Sequence, residues 1–270
     1  MPELPEINNL ARQMNKELNG KTIASVKIIQ EKCLNMPGKE FQEIITGKQI
    51  GKIKSKGKWI FTSLGEDMTV LLNLGMGGDV LYHKQTESVS NKYKLLFYFI
   101  DKSSLSINFW WFGYVHAINN KCLSAHKMTS ELGISPLDPE FTLEGFKKLI
   151  KNKRSTVKSL ILDQKTIAGI GNVYAQDILF QARIHPNNKI TQLNDSEIES
   201  LYKAIVENLH AAIAQRGLKF EKDLYGNSGS IENFLVGYRE GQLCPVCETI
   251  IEKIKTGSTA SYICPKCQIK

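Results

Sequence analysis

Apolar residues recur every three or four positions at the start of the chain, and this spacing predicts an amphipathic helix. The helix is expected to begin near Pro5, a residue tolerated in a first helical turn, and to end at Gly20. Its apolar face consists of Ile7, Leu10, Met14 and Leu18.

Beyond Gly20 the apolar residues alternate with polar ones, which is the period of a β-strand. The segments with this pattern are Thr22–Ile29, Trp59–Leu64, Val70–Leu74, Tyr93–Ile100 and Leu105–Phe109. Several short strands at hairpin spacing predict a β-sandwich. Residues 1–130 are therefore expected to form a β-sandwich domain with one helix at its start.

Helical spacing dominates the second half of the chain, after a linker at residues 131–142 that contains two prolines. The predicted helices are Leu143–Ile150, Val157–Leu162, Val173–Ala182 and a long helix capped by Asp195 and ended by Gly217. The polar segment Leu218–Asn233 is predicted to be a mobile loop. Residues 143–234 then form a helical domain and residues 235–270 a separate C-terminal unit, which gives an α+β fold class.

The charge balance favours a polyanionic partner. The 270 residues include 35 lysines and arginines against 27 acidic residues, a net charge of +8. No apolar run approaches 18 residues, so no membrane partner is expected. Four of the six cysteines are assigned to a metal below, and this usage is typical of a reducing cytosol, so the predicted location is cytoplasmic.

Those four cysteines form two CxxC pairs, CPVC and CPKC, separated by 16 residues. Each pair supplies two thiolates from one tight turn, which suits tetrahedral zinc. Cys244, Cys247, Cys264 and Cys267 are therefore predicted to bind one structural zinc ion at the base of a short basic hairpin. Such a hairpin can bind nucleic acid, and the spacing equally allows a zinc site that only stabilises the fold.

The first six residues, MPELPE, carry candidate catalytic groups. Removal of Met1 would leave Pro2 as a secondary amine, a group that is partly unprotonated at neutral pH and can attack an electrophilic carbon. Glu3 and Glu6 lie within one helical turn of it and could act as general acid or base. The alternative is structural: the proline starts the helix and the glutamates complement its dipole.

Other motifs have both functional and structural readings. The turn Gly169-Ile-Gly-Asn172 can present backbone N–H groups and the Asn172 amide to a phosphate, or it can simply join two helices. Lys58 begins a strand, where a solvated turn lysine is also common. Met76 lies in one glycine-rich loop and Trp110-Trp-Phe112 in another; such side chains can wedge between bases or pack in a core.

Together these motifs resemble the formamidopyrimidine-DNA glycosylase/endonuclease VIII family of DNA repair enzymes along the whole chain. The resemblance is carried by the PELPE start, KGKW, NLGMGG, the FG loop near residue 112, Ile161-Leu-Asp-Gln164, AGIGNVYAQDILFQARIHP and the terminal cysteine finger. It implies a β-sandwich, a helix–two-turn–helix module and a zinc-finger hairpin. The implied partner is double-stranded DNA with oxidised bases or abasic sites, bound by a monomer, with the damaged nucleotide flipped out of the stack.

The resemblance also implies residue roles. Pro2 would attack C1′ and displace the base, Glu3 would protonate the opening sugar and Glu6 would support the site. Phosphates would then leave by β- and δ-elimination, assisted by Lys58. Asn172 and Lys158 match phosphate- or lesion-proximal positions, and Met76 and Phe112 match the pair that fills the void left by the flipped base. Formamidopyrimidine and 8-oxoguanine are favoured as substrates over oxidised pyrimidines.

Three positions depart from the family pattern. Trp110 stands where an arginine reads the orphaned cytosine, Thr259 replaces the phosphate-binding arginine of the finger, and Asn73 replaces a histidine. An indole has one donor and cannot make the paired contacts of a guanidinium. We therefore expect relaxed or altered opposite-base preference. The alternatives are a damage- or abasic-site-binding protein with weak or no base excision, and a zinc-dependent regulator that binds ordinary duplex.

Overall fold

The computed structural model describes residues 1–85, 89 and 92–270, which fall into two compact units. The first unit comprises Met1–Glu131 with Gln215–Ser230. The second comprises Leu132–Ala214 with Ile231–Lys270. No helix of the described residues is both long enough and apolar enough to cross a membrane.

The first unit begins with helix α1, Leu4–Leu18, and contains eight described strands and a second helix. In chain order these are β1 Ile23–Ile28, α2 Gly38–Ile45, β2 Ile50–Lys56, β3 Trp59–Leu64, β4 Met68–Asn73, β5 Asp79–His83, β6 Leu95–Phe99, β7 Ser104–Asn108 and β8 Tyr114–Asn119. The described residues of this unit also include two short 3₁₀ turns, Glu31–Cys33 and Asn120–Ala125.

These strands form two antiparallel four-stranded sheets, ordered β1-β6-β7-β5 and β2-β3-β4-β8. One apolar core includes side chains from both sheets and from α1, such as Leu10, Val26 and Leu72. The predicted β-sandwich with a leading helix is confirmed. Helix α2 and strands β2, β5 and β8 were not predicted. In β2 the two isoleucines, Ile50 and Ile53, are three positions apart and three of the other residues are lysines, which obscures the period of two.

By its contacts the segment 215–230 groups with the first unit, whereas the predicted helical domain extends to residue 234. Leu224 is fully buried in the core of the first unit, and its carbonyl accepts a hydrogen bond from the Tyr82 N–H at 2.9 Å. Gln13 of α1 accepts from the Leu224 N–H at 2.9 Å and donates to Asp223 at 3.1 Å. The predicted mobile loop is therefore a segment anchored by a buried side chain and by backbone hydrogen bonds.

The second unit is helical and ends in a hairpin. Its helices are α3 Leu143–Ile150, α4 Val157–Leu162, α5 Asn172–Gln181 and α6 Asp195–Ala214, with a 3₁₀ turn at Ile190–Gln192. Strands β9 Glu252–Thr256 and β10 Thr259–Ile263 pair antiparallel. Asn194, rather than the predicted Asp195, caps α6: its side chain accepts from the Glu197 N–H at 3.0 Å while Glu197 accepts from the Asn194 N–H at 2.8 Å.

Candidate active site and nucleic-acid surface

The start of α1 holds a buried, rigid pair of carboxylates. Pro2, Glu3 and Glu6 are all buried. Glu6 Oε2 accepts from the Glu3 backbone N–H at 2.9 Å, as in a capping box, and Glu6 Oε1 accepts from the Leu218 N–H at 3.1 Å. Both oxygens of Glu6 are thus used by backbone donors, so this side chain fastens segment 215–230 to the beginning of the helix.

Gly217 makes that attachment possible. Its φ is +80°, and a Cβ built there would lie 2.4 Å from Glu6 Oε1. A side chain at this position would therefore be strained in its backbone and would collide with the carboxylate. The glycine that was predicted only to end a helix also lets the chain approach Glu6 closely.

A third carboxylate, Glu221, lies beside the N-terminus. Its Oε1 is 3.5 Å from the Met1 nitrogen, and the residue is 9% exposed. Burial raises the pKa of Glu221 to about 7, and the nearby Glu6 and Glu3 act in the same direction while the N-terminal ammonium opposes them. Sequence reasoning missed this residue, because it lies far from Pro2 along the chain in a segment without regular periodicity.

Lys58 lies with Gly57 in the tight turn between β2 and β3, and Gly57 has a φ of +58°. Its backbone carbonyl accepts from Asn73 Nδ2 at 3.0 Å, and Asn73 Oδ1 accepts from the Gly75 N–H at 3.0 Å. Asn73, one of the three departures from the family pattern, therefore connects the Lys58 turn to the loop that carries Met76.

The two loops with candidate wedge residues are paired through their backbones. The Met76 N–H donates to the Trp111 carbonyl at 2.9 Å, and the Trp110 N–H donates to the Met76 carbonyl at 3.1 Å. Gly75 is required here, because a Cβ would lie 2.0 Å from the Trp111 carbonyl oxygen. The loops thus form one structural feature, and sequence reasoning did not select Trp111 as one of its functional residues.

This paired loop, residues 74–78 with 110–113, presents large apolar side chains to solvent. Met76 is 44% exposed and Trp110 is 75% exposed, and Trp111 and Phe112 are exposed as well. Phe112 also has a φ of +56°, which is unusual for a non-glycine residue. Contiguous exposed apolar side chains of this kind mark interaction surfaces. The structure therefore excludes the core-packing alternative for Met76, Trp110 and Phe112.

Hydrogen bonds from the Gln164 side chain hold the turn before α5 in its conformation. Its side-chain nitrogen donates to the carbonyls of Leu162 and Ile170 at 2.9 and 2.8 Å, and its oxygen accepts from the Gly169 N–H at 2.9 Å. Asn172 is the first residue of α5, and its Oδ1 accepts from Gln176 at 3.1 Å. The Oδ1 atom is therefore engaged, and the side-chain NH₂ group of Asn172 is the part that can donate a hydrogen bond at the N-terminus of α5.

The side chain of Lys158 is 3% exposed, and it makes hydrogen bonds within the second unit. Its ammonium donates to the Thr256, Thr259 and Ser261 hydroxyls and to the Ala260 carbonyl, at 2.7–2.9 Å. An ammonium has three N–H donors, so the described hairpin already offers it more acceptors than it can use. Burial lowers the pKa of Lys158 to about 8. In this geometry Lys158 holds the hairpin, and its predicted place near a phosphate or the lesion stays a prediction.

The cysteine sulfurs converge as zinc requires. The Sγ atoms of Cys244, Cys247, Cys264 and Cys267 lie within 4.8 Å of one another. The Cys244–Cys267 pair is separated by 3.9 Å, and Cys247 lies 3.4 Å from both Cys264 and Cys267. A tetrahedron of Zn–S bonds of about 2.3 Å has sulfur–sulfur edges of roughly 3.8 Å. The residues therefore fit a structural zinc ion.

Buried polar side chains hold this finger against α5 within the second unit. Asp177 accepts from the N–H groups of Leu235, Val236 and Gly237 at 2.8–3.1 Å. Gln268, which follows the last cysteine, is buried; it accepts from the Cys264 N–H at 3.1 Å and donates to the Ile184 carbonyl at 3.0 Å. The terminal Cys-Gln motif thus has a packing role.

Comparisons with known proteins cover almost the entire chain. Residues 1–108 match the formamidopyrimidine-DNA glycosylase N-terminal domain, residues 132–222 match its H2TH domain, and residues 241–269 match the zinc finger found in FPG and IleRS. The formamidopyrimidine-DNA glycosylase of Pelotomaculum thermopropionicum is 35% identical over 273 residues, 99% of each chain. That of Chloroflexus aurantiacus is 35% identical over 283 residues, 100% of this chain and 98% of the relative.

Solved structures give the same result. A complex between the Lactococcus lactis Fpg and an abasic site containing DNA has a TM-score of 0.91 at 26% identity, covering 99% of this chain and 100% of the other. The complex of that wild-type protein with DNA containing N7-benzyl-Fapy-dG also has a TM-score of 0.91 at 26% identity, with both chains covered completely.

Proposed function

This chain belongs to the formamidopyrimidine-DNA glycosylase family and is a base-excision-repair glycosylase, and we propose that it also cleaves abasic sites through the amine of Pro2. The observation that carries the proposal is the group of buried carboxylates around the N-terminus. Glu3 and Glu6 are held by the first turn of α1, and Glu221 lies 3.5 Å from the Met1 nitrogen. A helix that needed only a cap would not require three buried acidic side chains there.

The reaction requires removal of Met1, which converts Pro2 into a secondary amine. Its lone pair forms a bond to C1′ while the bond between C1′ and the base breaks, and the base leaves with that electron pair and takes up a proton. Glu3 donates a proton to the sugar oxygen as the ring opens, which leaves an iminium cation between Pro2 and C1′. Glu6 stays a positioning residue, since both of its oxygens accept backbone hydrogen bonds.

The iminium acidifies the adjacent C2′ position, so loss of a C2′ proton expels the 3′ phosphate and a second elimination expels the 5′ phosphate. Water then hydrolyses the iminium, which releases the sugar fragment as an aldehyde and restores the amine. Lys58 is assigned to the DNA backbone and to proton transfer in these steps. Its position depends on the Asn73 amide, which holds the Lys58 carbonyl at 3.0 Å.

We assign three surfaces of the chain to DNA binding. The paired loop with Met76, Trp110 and Phe112 supplies apolar side chains for the space that a flipped base leaves in the stack. The Asn172 side-chain amide at the start of α5 is suited to a phosphate. The finger supplies a basic hairpin, and its single zinc ion, bound by the four cysteines, stabilises that hairpin and takes no part in the reaction.

The substrates that we propose are formamidopyrimidine and 8-oxoguanine lesions and abasic sites in double-stranded DNA, bound by a monomer. Solved structures of the Lactococcus lactis Fpg with Fapy-dG-type and abasic-site DNA support this class. The paired loop favours relaxed reading of the opposite base, since Trp110 offers one donor. The second candidate is a damage-binding protein with weak excision, favoured by the absence of an arginine at Trp110 and Thr259.

Borohydride trapping separates these functions. Met1-processed protein would be incubated with duplexes that carry an abasic site, formamidopyrimidine, 8-oxoguanine or thymine glycol, and borohydride would reduce the iminium to a stable amine. We expect a covalent adduct that is strongly reduced in Pro2→Gly, whose terminal amine is primary and lacks the proline ring, and absent in protein that retains Met1. Tight binding to every damaged duplex without any adduct would instead establish the damage-binding function.

A further inference from the structure

We propose that Glu221 is a positioning residue that binds the Pro2 amine of the mature chain and sets the pH range in which it reacts. The inference rests on the proposed function, because it assigns a partner to the amine that forms the iminium. The starting observation is the 3.5 Å ion pair between Glu221 Oε1 and the N-terminal ammonium of the chain that carries Met1.

The backbone that carries Glu221 is held from several directions within the first unit. The Leu218 N–H is bound by Glu6, the Glu221 N–H donates to the Leu218 carbonyl at 3.0 Å, and the Glu221 carbonyl accepts from the Gly229 N–H at 3.3 Å. Three residues further along, Leu224 is buried in the core. These hydrogen bonds and the buried Leu224 side chain fix the backbone that places Glu221 beside the N-terminus.

Loss of Met1 keeps the terminal amine close to Glu221. The Pro2 nitrogen is three covalent bonds from the Met1 nitrogen, so the two atoms are within about 4 Å of each other. Removal of the Met1 residue also vacates the space next to Glu221 Oε1. The Pro2 amine, now the terminal cation, then takes the place of the Met1 ammonium, the cation that lies beside this carboxylate in the chain with Met1.

The charged groups that act on Glu221 are the N-terminal ammonium, Glu6 and Glu3. An ionised Glu221 next to the amine stabilises its protonated form and so raises the amine pKa. The amine must lose that proton before it attacks, and in the proposed contact Glu221 is the acceptor. Replacing Glu221 with glutamine removes the negative charge, so the amine pKa falls and the reactive form extends to lower pH.

The test is the pH profile of borohydride trapping on an abasic duplex, under single-turnover conditions with Met1-processed protein. We expect Glu221→Gln to move the midpoint of the profile to lower pH by about 1 unit, the size of shift that one neighbouring charge produces. Glu221→Asp retains the charge and should restore most of the wild-type midpoint. Glu66→Gln, at an exposed position in the turn after β3, removes the same charge and should leave the midpoint unchanged.

A second measurement does not need the reaction. The pKa of the Pro2 amine would be read by NMR titration of ¹⁵N-proline-labelled protein without DNA, for the wild type, Glu221→Gln and Glu66→Gln. Equal amine pKa values in wild type and Glu221→Gln would overturn the inference, as would superimposable trapping profiles. If wild-type protein gives no adduct but Glu221→Gln still lowers the amine pKa, the lyase proposal fails while the contact stands.

Discussion

The ammonium of Lys158 lies 2.9 Å from the hydroxyl of Thr259, the residue that stands where the family pattern has a phosphate-binding arginine. Lys158 comes from α4 and Thr259 begins β10, so the contact joins a helix of the second unit to the tip of its hairpin. The tip of the hairpin thus has a positive charge beside it, although Thr259 itself is neutral. The shape of the hairpin in this chain depends on that buried cation.

We expect Lys158→Met to loosen the hairpin. The change removes the shared donor of three hydroxyls and one carbonyl, and the loss of such buried hydrogen bonds costs about 1–3 kcal/mol of unfolding free energy. Urea unfolding would measure the loss, and hydrogen exchange should show faster exchange in residues 252–263. Lys255→Met, which removes an exposed lysine from the same hairpin, is the control; equal unfolding energies for both variants would contradict the assignment.

Removal of the zinc ion should also destabilise the hairpin, because the bonds between the metal and the four sulfurs are lost. The four sulfurs fit a zinc tetrahedron, and metal that binds only the folded finger stabilises it. A chelator, or Cys264→Ser, is expected to lower the melting temperature and to weaken binding to abasic duplex. Cys122→Ser changes an exposed cysteine outside the cluster and should retain about one zinc per chain. Zinc analysis of the purified variants would check both outcomes.

Features that depend on neighbouring residues in the chain could be predicted from the sequence, whereas features that depend on residues far apart in the chain could not. Helices α3 and α4 have the predicted bounds, because local spacing and capping threonines determine them. The cysteine quartet was also predicted from local spacing. The anchoring of segment 215–230 was not, since Gln13 and Leu224 are separated by 211 positions and nothing near either one signals the contact. Glu221 was missed for the same reason.

The histidine pair of the first unit predicts a loss of stability in acid. His116 Nδ1 lies 2.9 Å from His126 Nε2, and His126 Nδ1 lies 2.8 Å from Thr129 Oγ1. Burial, together with His126, lowers the pKa of His116 to about 4, and burial lowers that of His126. The unfolded chain therefore takes up protons first, so the stabilisation is complete above about pH 6.5 and is lost as the pH falls toward 4.

Unfolding free energies between pH 7 and 4.5 would test this. We expect wild-type protein to lose about 2 kcal/mol more than His116→Gln over that range, because the variant has lost the titrating imidazole. His210→Gln, on the exposed face of α6, should follow the wild-type curve. Parallel curves for wild type and His116→Gln would show that the pair does not couple protonation to folding.

The exposed paired loop predicts a loss of DNA affinity with little change in stability. Phe112→Ala removes an exposed side chain, so its melting temperature should stay within about 1–2 °C of the wild type, since surface substitutions usually change stability by less than 0.5 kcal/mol. Loss of a wedge between bases should reduce affinity for abasic duplex by about tenfold or more, since stacking contributes roughly 1–3 kcal/mol per contact. Ile100→Ala, another exposed apolar position, should bind as the wild type does.

We expect Trp110 to weaken the enzyme's discrimination between bases opposite the lesion. Its side chain is 75% exposed on the paired loop, and its indole can donate one hydrogen bond, whereas a guanidinium can make two parallel contacts to one base edge. Trp110→Arg should therefore raise the preference for cytosine over adenine opposite 8-oxoguanine, by about tenfold for a paired contact of roughly 1.4 kcal/mol. Single-turnover excision would be measured on duplexes that differ only in the opposite base. Trp111→Arg, which places the same charge on the neighbouring residue, is the matched control, and strong cytosine selectivity in the wild type would refute the role given to Trp110.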